Sequence, residues 1–261
     1  MPLLAHQIVL GRCLRSADAD PWASPAAQQR IGLDQAELAE LHDLVHSPGF
    51  RFTRRGQRSW CEGRTAEAAQ LTLSILSTEQ RRQLVNDWVD AGGGAAFDPT
   101  SEADAFLEFV AGRLSESSHA MTICRMEQAV YRASQAALRF KPPDLSLLDD
   151  PNTMLCAGTG AAIVRFFAEP QRLFAAIEAK APLPPLSDRC FIVLFAPGLP
   201  ALFRAATNEE VAVWDMLADP IAMRLVSRAR HTRCAIEELL RIGAADLASA
   251  GNGVSGQQNR L

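Results

Sequence analysis

The sequence predicts an α+β protein, with a helical N-terminal half followed by a small sheet with helices. Apolar residues recur at helical steps as far as Phe140, where Pro142 and Pro143 interrupt the pattern. Residues 188–217 then combine a short apolar run, a Pro-Gly turn and a helix start. We therefore expect a helical domain at residues 1–145, an α+β domain at residues 150–247 and a disordered tail at residues 248–261.

The composition favours an ordinary globular protein. The chain has 261 residues, of which 48% are hydrophobic, and a formal net charge of −4. Such a charge points to neither nucleic acid nor an acidic membrane as a partner. The six cysteines are spread singly, which is typical of reduced thiols, and no run approaches the ~20 apolar residues of a membrane span. We expect a soluble, cytoplasmic protein.

The first half contains a series of helical patterns. A helix predicted at residues 34–46 has Asp34 as its N-cap and ends before Pro48-Gly49. The next segment, residues 50–64, is the most basic in the chain, and we interpret it as a loop. The other predicted helices span residues 3–14, 65–76, 78–91, 101–114 and 118–140. Three glycines at residues 92–94 end the helix predicted at residues 78–91.

In the second half, residues 190–195 predict a buried strand. Pro197-Gly198 predicts a turn in which the glycine adopts a positive φ, and residues 201–205 predict the returning strand. Thr207 and Glu210 form a capping box that begins a helix. Two further helices are predicted at residues 220–230 and 232–242, with Gly243 as the C-cap.

Residues 154–156 and 162–167 predict two more strands, joined by Gly158-Thr159-Gly160. This Gly-x-Gly spacing also occurs in dinucleotide-binding loops, but Ile163 occupies the position of the third glycine. A hairpin turn between the two strands is therefore the favoured interpretation.

Two histidines suggest a metal site that the rest of the sequence does not complete. His42 and His46 are four residues apart and share a helical face, but Asp43 replaces the glutamate of the metalloprotease pattern. No third ligand follows at a fixed offset, although zinc needs three or four protein ligands. We expect two surface histidines near a helix C-terminus, and no metal or cofactor.

Two polar clusters suggest interaction surfaces. The basic segment, with Arg54, Arg55 and Arg58, has residues suited to carboxylate or phosphate, although a solvated segment is the simpler interpretation. The predicted long helix places four polar residues on one face, flanked by Arg125. These four are Cys124, Glu127, Gln128 and Tyr131. Docking, within the chain or to a partner, explains this face better than catalysis by Cys124.

The run CRMEQ at residues 124–128 and the later runs AEPQRLFAAI, PLPP and FIVLFAPGLPALFRAAT resemble a known family. The resemblance, over residues 117–217, is to the partner proteins of multinuclear non-haem iron oxidative enzymes, of which the methanobactin biosynthesis subunit is the best known. It implies a non-catalytic subunit with a winged-helix-like, peptide-clamping C-terminal half. Such a subunit binds both an iron oxidase and the precursor peptide that the oxidase modifies.

The resemblance and the predicted hairpin together indicate a sheet edge that accepts an extended peptide. The residues expected to bind the peptide are Phe191, Val193, Phe195, Leu202 and Arg204. The polar face of the long helix and the basic segment are expected to meet the oxidase or acidic residues of the peptide.

Two other functions remain open at this point. The first is a winged-helix-like DNA reader, suggested by Arg224, Arg228, Arg230 and Arg233. The second is a metalloenzyme that uses His42 and His46.

Overall fold

The predicted α+β fold class, with a helical N-terminal half and sheets in the C-terminal half, is confirmed. The computed structural model describes residues 2–15, 34–94, 99–226 and 230–248. The chain forms two compact units, Met1–Leu114 and Ser115–Leu261. In the described residues, no helix is long and apolar enough to cross a membrane.

The first unit is built from helices around one central helix, α3. The helices are α1 (Pro2–Arg15), α2 (Gln35–His46), α3 (Pro48–Ala68), α4 (Gln70–Ile75), α5 (Thr78–Asp90) and α6 (Pro99–Ala111). Helix α3 contacts each of the other five. One of its buried residues is Cys61, while α2 buries Leu38, Leu41 and Val45 against α1.

The prediction of a basic loop at residues 50–64 is wrong, because this segment belongs to α3. Ser47 caps two helices: its N–H bonds to Leu44 at the end of α2, and its hydroxyl accepts from Phe50 N–H at 3.2 Å. Pro48 then occupies the first turn of α3, where a missing N–H has no cost. The same Pro-Gly pair that suggested a helix end therefore also begins the next helix.

The second unit contains one long helix, two small sheets and shorter helices. Its helices are α7 (His119–Ala137), α8 (Pro170–Glu178), α9 (Asn208–Met216) and α10 (Arg230–Arg241). Its strands are β1 (Met154–Ala157), β2 (Ala162–Phe166), β3 (Phe191–Phe195), β4 (Phe203–Ala205), β5 (Ile221–Ala222) and β6 (Ala245–Ala248). One antiparallel sheet has the order β5-β1-β6 and the other the order β2-β3-β4.

The boundary between the units differs from the one that the sequence predicts at residues 145–150. Helix α7 packs against β2 and β3, so it joins the second unit. The prediction also starts the tail one residue too early, because Ala248 is the last residue of β6. The rest of that predicted tail lies outside the described residues.

The predicted hairpin between the first two strands is wrong, because β1 and β2 belong to different sheets. Gly158 leaves β1 with its N–H bonded to Ala244 at 2.8 Å, and a Cβ there would overlap the Gly243 carbonyl oxygen. Gly160 then takes φ +82°, which glycine adopts without strain. The two glycines therefore direct the chain from one sheet into the other.

The β3–β4 hairpin and the capping box that follows are confirmed. Gly198 does not adopt the expected positive φ, which belongs instead to Leu202 at +64°. A Cβ at Gly198 would come within 2.9 Å of the Ile242 backbone. The Gly198 N–H donates to the Ile242 carbonyl at 2.8 Å. Glycine is required here for close packing of two backbones.

The predicted helix at residues 220–230 is wrong over its first half, where β5 and a short 3-10 turn (Met223–Leu225) lie. The helix after it is confirmed as α10. Gly243 ends that helix at φ +72°, and Ala244 N–H bonds back to Leu239 at 2.7 Å. The apolar face of α10, with Leu239 and Leu240, is buried in a core that also includes residues of β1, β3 and α9.

Candidate functional site

The candidate site is the outer edge of β4. Ala196 N–H donates to Leu202 at 2.9 Å, and Ala206 N–H donates to Ile192 at 3.0 Å. Because backbone groups alternate in direction along an antiparallel strand, Phe203 and Ala205 direct theirs away from β3. No strand among the described residues pairs with this outer side of β4.

Three backbone groups at this edge have no partner in the part of the chain that the structure describes. They are the N–H and C=O of Phe203 and the N–H of Ala205. The Ala205 carbonyl accepts from Arg204 Nη1 at 3.1 Å. The edge thus offers two donors and one acceptor to an incoming strand.

The opposite edge of the same sheet, formed by β2, is partly covered by the chain itself. On β2, the Arg165 carbonyl accepts from the Thr122 hydroxyl of α7 at 3.3 Å. One residue past the strand, the Phe167 carbonyl accepts from Ser187 N–H at 2.6 Å. Covering an edge in this way is how sheets avoid unwanted strand pairing. In the part of the chain that the structure describes, no other segment bonds to the outward backbone of β4.

Aromatic residues flank the open edge on one face. Phe203 is opposite Phe195, with ring centroids 5.6 Å apart, and 51% of Phe203 is exposed. Phe191 and Val193 share this face through the alternation of β3, and Phe191 is 38% exposed. Ala205 is opposite Val193 and leaves room beside the Phe203 ring.

The register divides the five residues predicted to bind a peptide. Phe191, Val193 and Phe195 lie on the aromatic face, although Phe195 is buried. Arg204 pairs with Leu194, so its side chain is on the opposite face, and Leu202 belongs to the turn. Phe203 and Ala205 were missed because the sequence does not fix the turn length, and hence which return residues face Phe195.

Arg204 makes a two-pronged ion pair with Glu210. Its Nη1 donates to Oε2 at 2.8 Å and its Nη2 to Oε1 at 2.5 Å, and Thr207 N–H also donates to Oε2, at 2.9 Å. Burial alone would raise the pKa of the Glu210 carboxyl, but hydrogen bonds from Arg204 and Thr207 outweigh burial and lower the pKa. The pair therefore fixes β4 to α9.

The polar face predicted on α7 is largely inaccessible. Cys124 and Gln128 are buried, and Gln128 accepts from Arg125 Nη1 at 2.7 Å. Arg125, Glu127 and Tyr131 are partly exposed. Any contact with a partner at this face would therefore involve Arg125, Glu127 and Tyr131. Their contact with a partner protein stays a prediction.

The arginines of the basic segment have different surroundings. Arg58 bonds to Asp90 at 2.7 Å and to Asn86 at 2.9 Å, so it joins α3 to α5. Arg54 is partly buried, whereas Arg55 is exposed. Of the three, Arg55 has the side chain most accessible to another molecule.

The features behind the other two functions are arranged as follows. The rings of His42 and His46 stack at 4.2 Å, and His46 Nδ1 lies 2.8 Å from the His42 carbonyl. Among the described residues, no group of three or more His, Cys, Asp or Glu is placed to hold a metal ion. Arg233 pairs with Asp149 and Glu237, while Arg228 lies outside the described residues.

No known family model matches the sequence, and no curated protein matches it either. The assignment of function therefore depends on the geometry of the chain and on the motifs described above.

Proposed function

We propose that this chain is the non-catalytic, cytoplasmic subunit of a peptide-modifying system. It binds an extended precursor peptide at the outer edge of β4 and docks on an iron-dependent oxidase, which carries out the reaction. The observation that carries this proposal is the edge of β4, to which no other described segment bonds, in a sheet whose other edge is partly covered by α7 and Ser187. The resemblance of residues 117–217 supplies the class of partner.

The edge has the properties needed for strand addition. The exposed N–H and C=O of Phe203 and the N–H of Ala205 supply the main-chain hydrogen bonds, which are insensitive to peptide sequence. The β4 strand is anchored by the Arg204–Glu210 pair, so little ordering is required when the peptide binds.

The two faces beside the edge give the peptide a defined pattern. Side chains of an added strand alternate between the faces. One face offers the Phe203 and Phe191 rings. The other face offers Arg204 of β4, together with Glu238 and Arg241 at the end of α10. We therefore expect a peptide in which apolar residues alternate with charged or polar residues.

Complex formation with the proposed partners is the test of this function. The chain is co-expressed with the iron oxidase and the short cysteine-bearing peptide encoded beside its gene, and the complex is isolated by size-exclusion chromatography. We expect all three to co-elute at micromolar concentration, because one surface binds the peptide and another binds the oxidase. A precursor with a scrambled leader serves as the control and should not co-elute.

The absence of any complex at micromolar concentration would contradict the proposal. A genome that encodes neither an iron oxidase nor a short cysteine-bearing peptide beside this gene would also count against the proposal.

A further inference from the structure

The solvent face of α3 is a bare surface on the central helix of the first unit. Along it, Phe52, Gly56, Ser59 and Gly63 follow one another at steps of four, three and four residues, so they form one stripe. All four are exposed, and Phe52 is 80% exposed. Phe52 therefore places a large apolar ring in solvent at one end of the stripe.

The glycines on this stripe have no explanation within the unit. A Cβ at Gly56 or Gly63 would meet no atom within 4 Å, and neither residue has a positive φ. Each glycine costs a helix interior about 1 kcal/mol relative to alanine. Glycine at these positions would allow another helix to approach closely, since small residues at a contact reduce the distance between helix axes.

The charges beside the stripe indicate what that other helix is. Arg51, Arg55 and Glu62 are exposed and lie on one flank at steps of four and seven residues, with both arginines toward the N-terminus. In the described residues, neither Arg51 nor Arg55 has a carboxylate partner. The flank is therefore positive at one end and negative at the other, which is the pattern that pairs with a reversed copy of itself.

We propose that α3 forms an antiparallel, two-fold contact with α3 of a second copy of this chain. A two-fold axis midway between residues 57 and 58 places Phe52 of one copy opposite Gly63 of the other, and Gly56 opposite Ser59. Each ring then packs where the facing helix has no side chain. Such a self-complementary contact is the commonest way in which identical subunits associate.

The same register also matches the charges. In an antiparallel pair, equivalent flanks of the two helices face each other. Glu62 of one copy then falls midway between Arg51 and Arg55 of the other, about 3 Å along the axis from each, at a rise of 1.5 Å per residue. One axis therefore satisfies the aromatic ring, the glycines and the ion pairs together. The inference is independent of the proposed peptide-binding function, because it concerns the other unit.

Sedimentation velocity of the full chain between about 1 and 100 µM tests the contact. We expect a concentration-dependent dimer for the wild type. Glu62→Arg should raise the dissociation constant at least about tenfold, because it places a third positive charge against Arg51 and Arg55. The triple variant Arg51→Glu, Arg55→Glu and Glu62→Arg reverses the flank and should restore the dimer. Glu40→Arg, an exposed reversal on α2, is the matched control and should leave it unchanged.

Gly63→Gln separates loss of the contact from loss of folding. Glutamine favours helix more than glycine, and a Cβ at this position meets no atom within 4 Å. The melting temperature of the variant should therefore equal or exceed the wild-type value when both are compared at about 1 µM, where the dimer contributes least to stability. The glutamine should nevertheless dissociate the dimer, because it fills the space that the Phe52 ring of the other copy occupies. A wild-type chain that is monomeric at 100 µM would overturn the proposal. Glu62→Arg and Gly63→Gln variants that dimerise like the wild type would also overturn it, as would a triple variant that stays monomeric.

Discussion

Replacing Ala205 with proline is expected to weaken binding of the precursor peptide by about 10- to 100-fold. The substitution removes the outward N–H of β4 and leaves the facing peptide carbonyl without its donor, a loss of about 1–3 kcal/mol. The fold should be retained within about 1 kcal/mol, because that N–H has no partner in the described residues and proline is tolerated at an outward position of an edge strand. Isothermal titration with the peptide and urea unfolding measure the two quantities.

The matched control for this substitution is Ala205→Val. Valine keeps the N–H and favours the strand, so peptide affinity should fall by less than about threefold unless the peptide packs closely over Ala205. Equal affinity of the proline variant and the wild type would show that the peptide binds elsewhere.

Glu210→Ala is expected to lower the free energy of unfolding by about 3 kcal/mol. The change removes both hydrogen bonds from the Arg204 guanidinium to Glu210, leaving Glu238 at 3.7 Å as its nearest carboxylate, and removes the reciprocal half of the capping box. Because the pair connects β4 to α9, the loss should also weaken peptide binding. Urea unfolding at pH 7 measures the stability, and Glu209→Gln, an exposed change in the same helical turn, should cost less than about 0.5 kcal/mol.

The contribution of Glu210 should also depend on pH. Its pKa in the folded chain is lower than its ordinary value of 4.5, so the folded state favours the ionised carboxylate. The stabilisation is therefore complete above pH 4.5 and is lost as the pH falls through the lower folded-state pKa. The stability difference between the wild type and Glu210→Gln should shrink over that acidic range; a difference that stays constant down to full protonation would contradict the assigned role of the carboxylate.

Features that depend on neighbouring residues could be predicted from the sequence. The capping box of Thr207 and Glu210, the cap of Asp34 and the strand at residues 191–195 all follow from local chemistry. The basic segment was misjudged for a physical reason. Its two glycines and five arginines suggest a solvated loop, whereas burial of Cys61 and the bonds of Arg58 to α5 stabilise a helix.

Strand pairing was less accessible, because it depends on contacts that are distant in the sequence. Strand β1 pairs with β5 and β6, which have two and four residues and no apolar pattern of their own. At the candidate site, the hairpin was predictable but its register was not. The turn extends as far as Leu202, so the returning strand begins at Phe203. Phe203 and Ala205, rather than Leu202 and Arg204, therefore lie on the aromatic face.

Amide hydrogen exchange at individual residues, measured by NMR with and without the precursor peptide, tests the central claim most directly. In the chain alone, the Phe203 and Ala205 amides should exchange rapidly, while the Arg204 amide, which faces β3, should be protected. Saturating peptide should slow exchange at Phe203 and Ala205 by at least about tenfold and leave Arg204 nearly unchanged. A peptide that binds tightly while both outward amides keep their rapid exchange would contradict strand addition at β4.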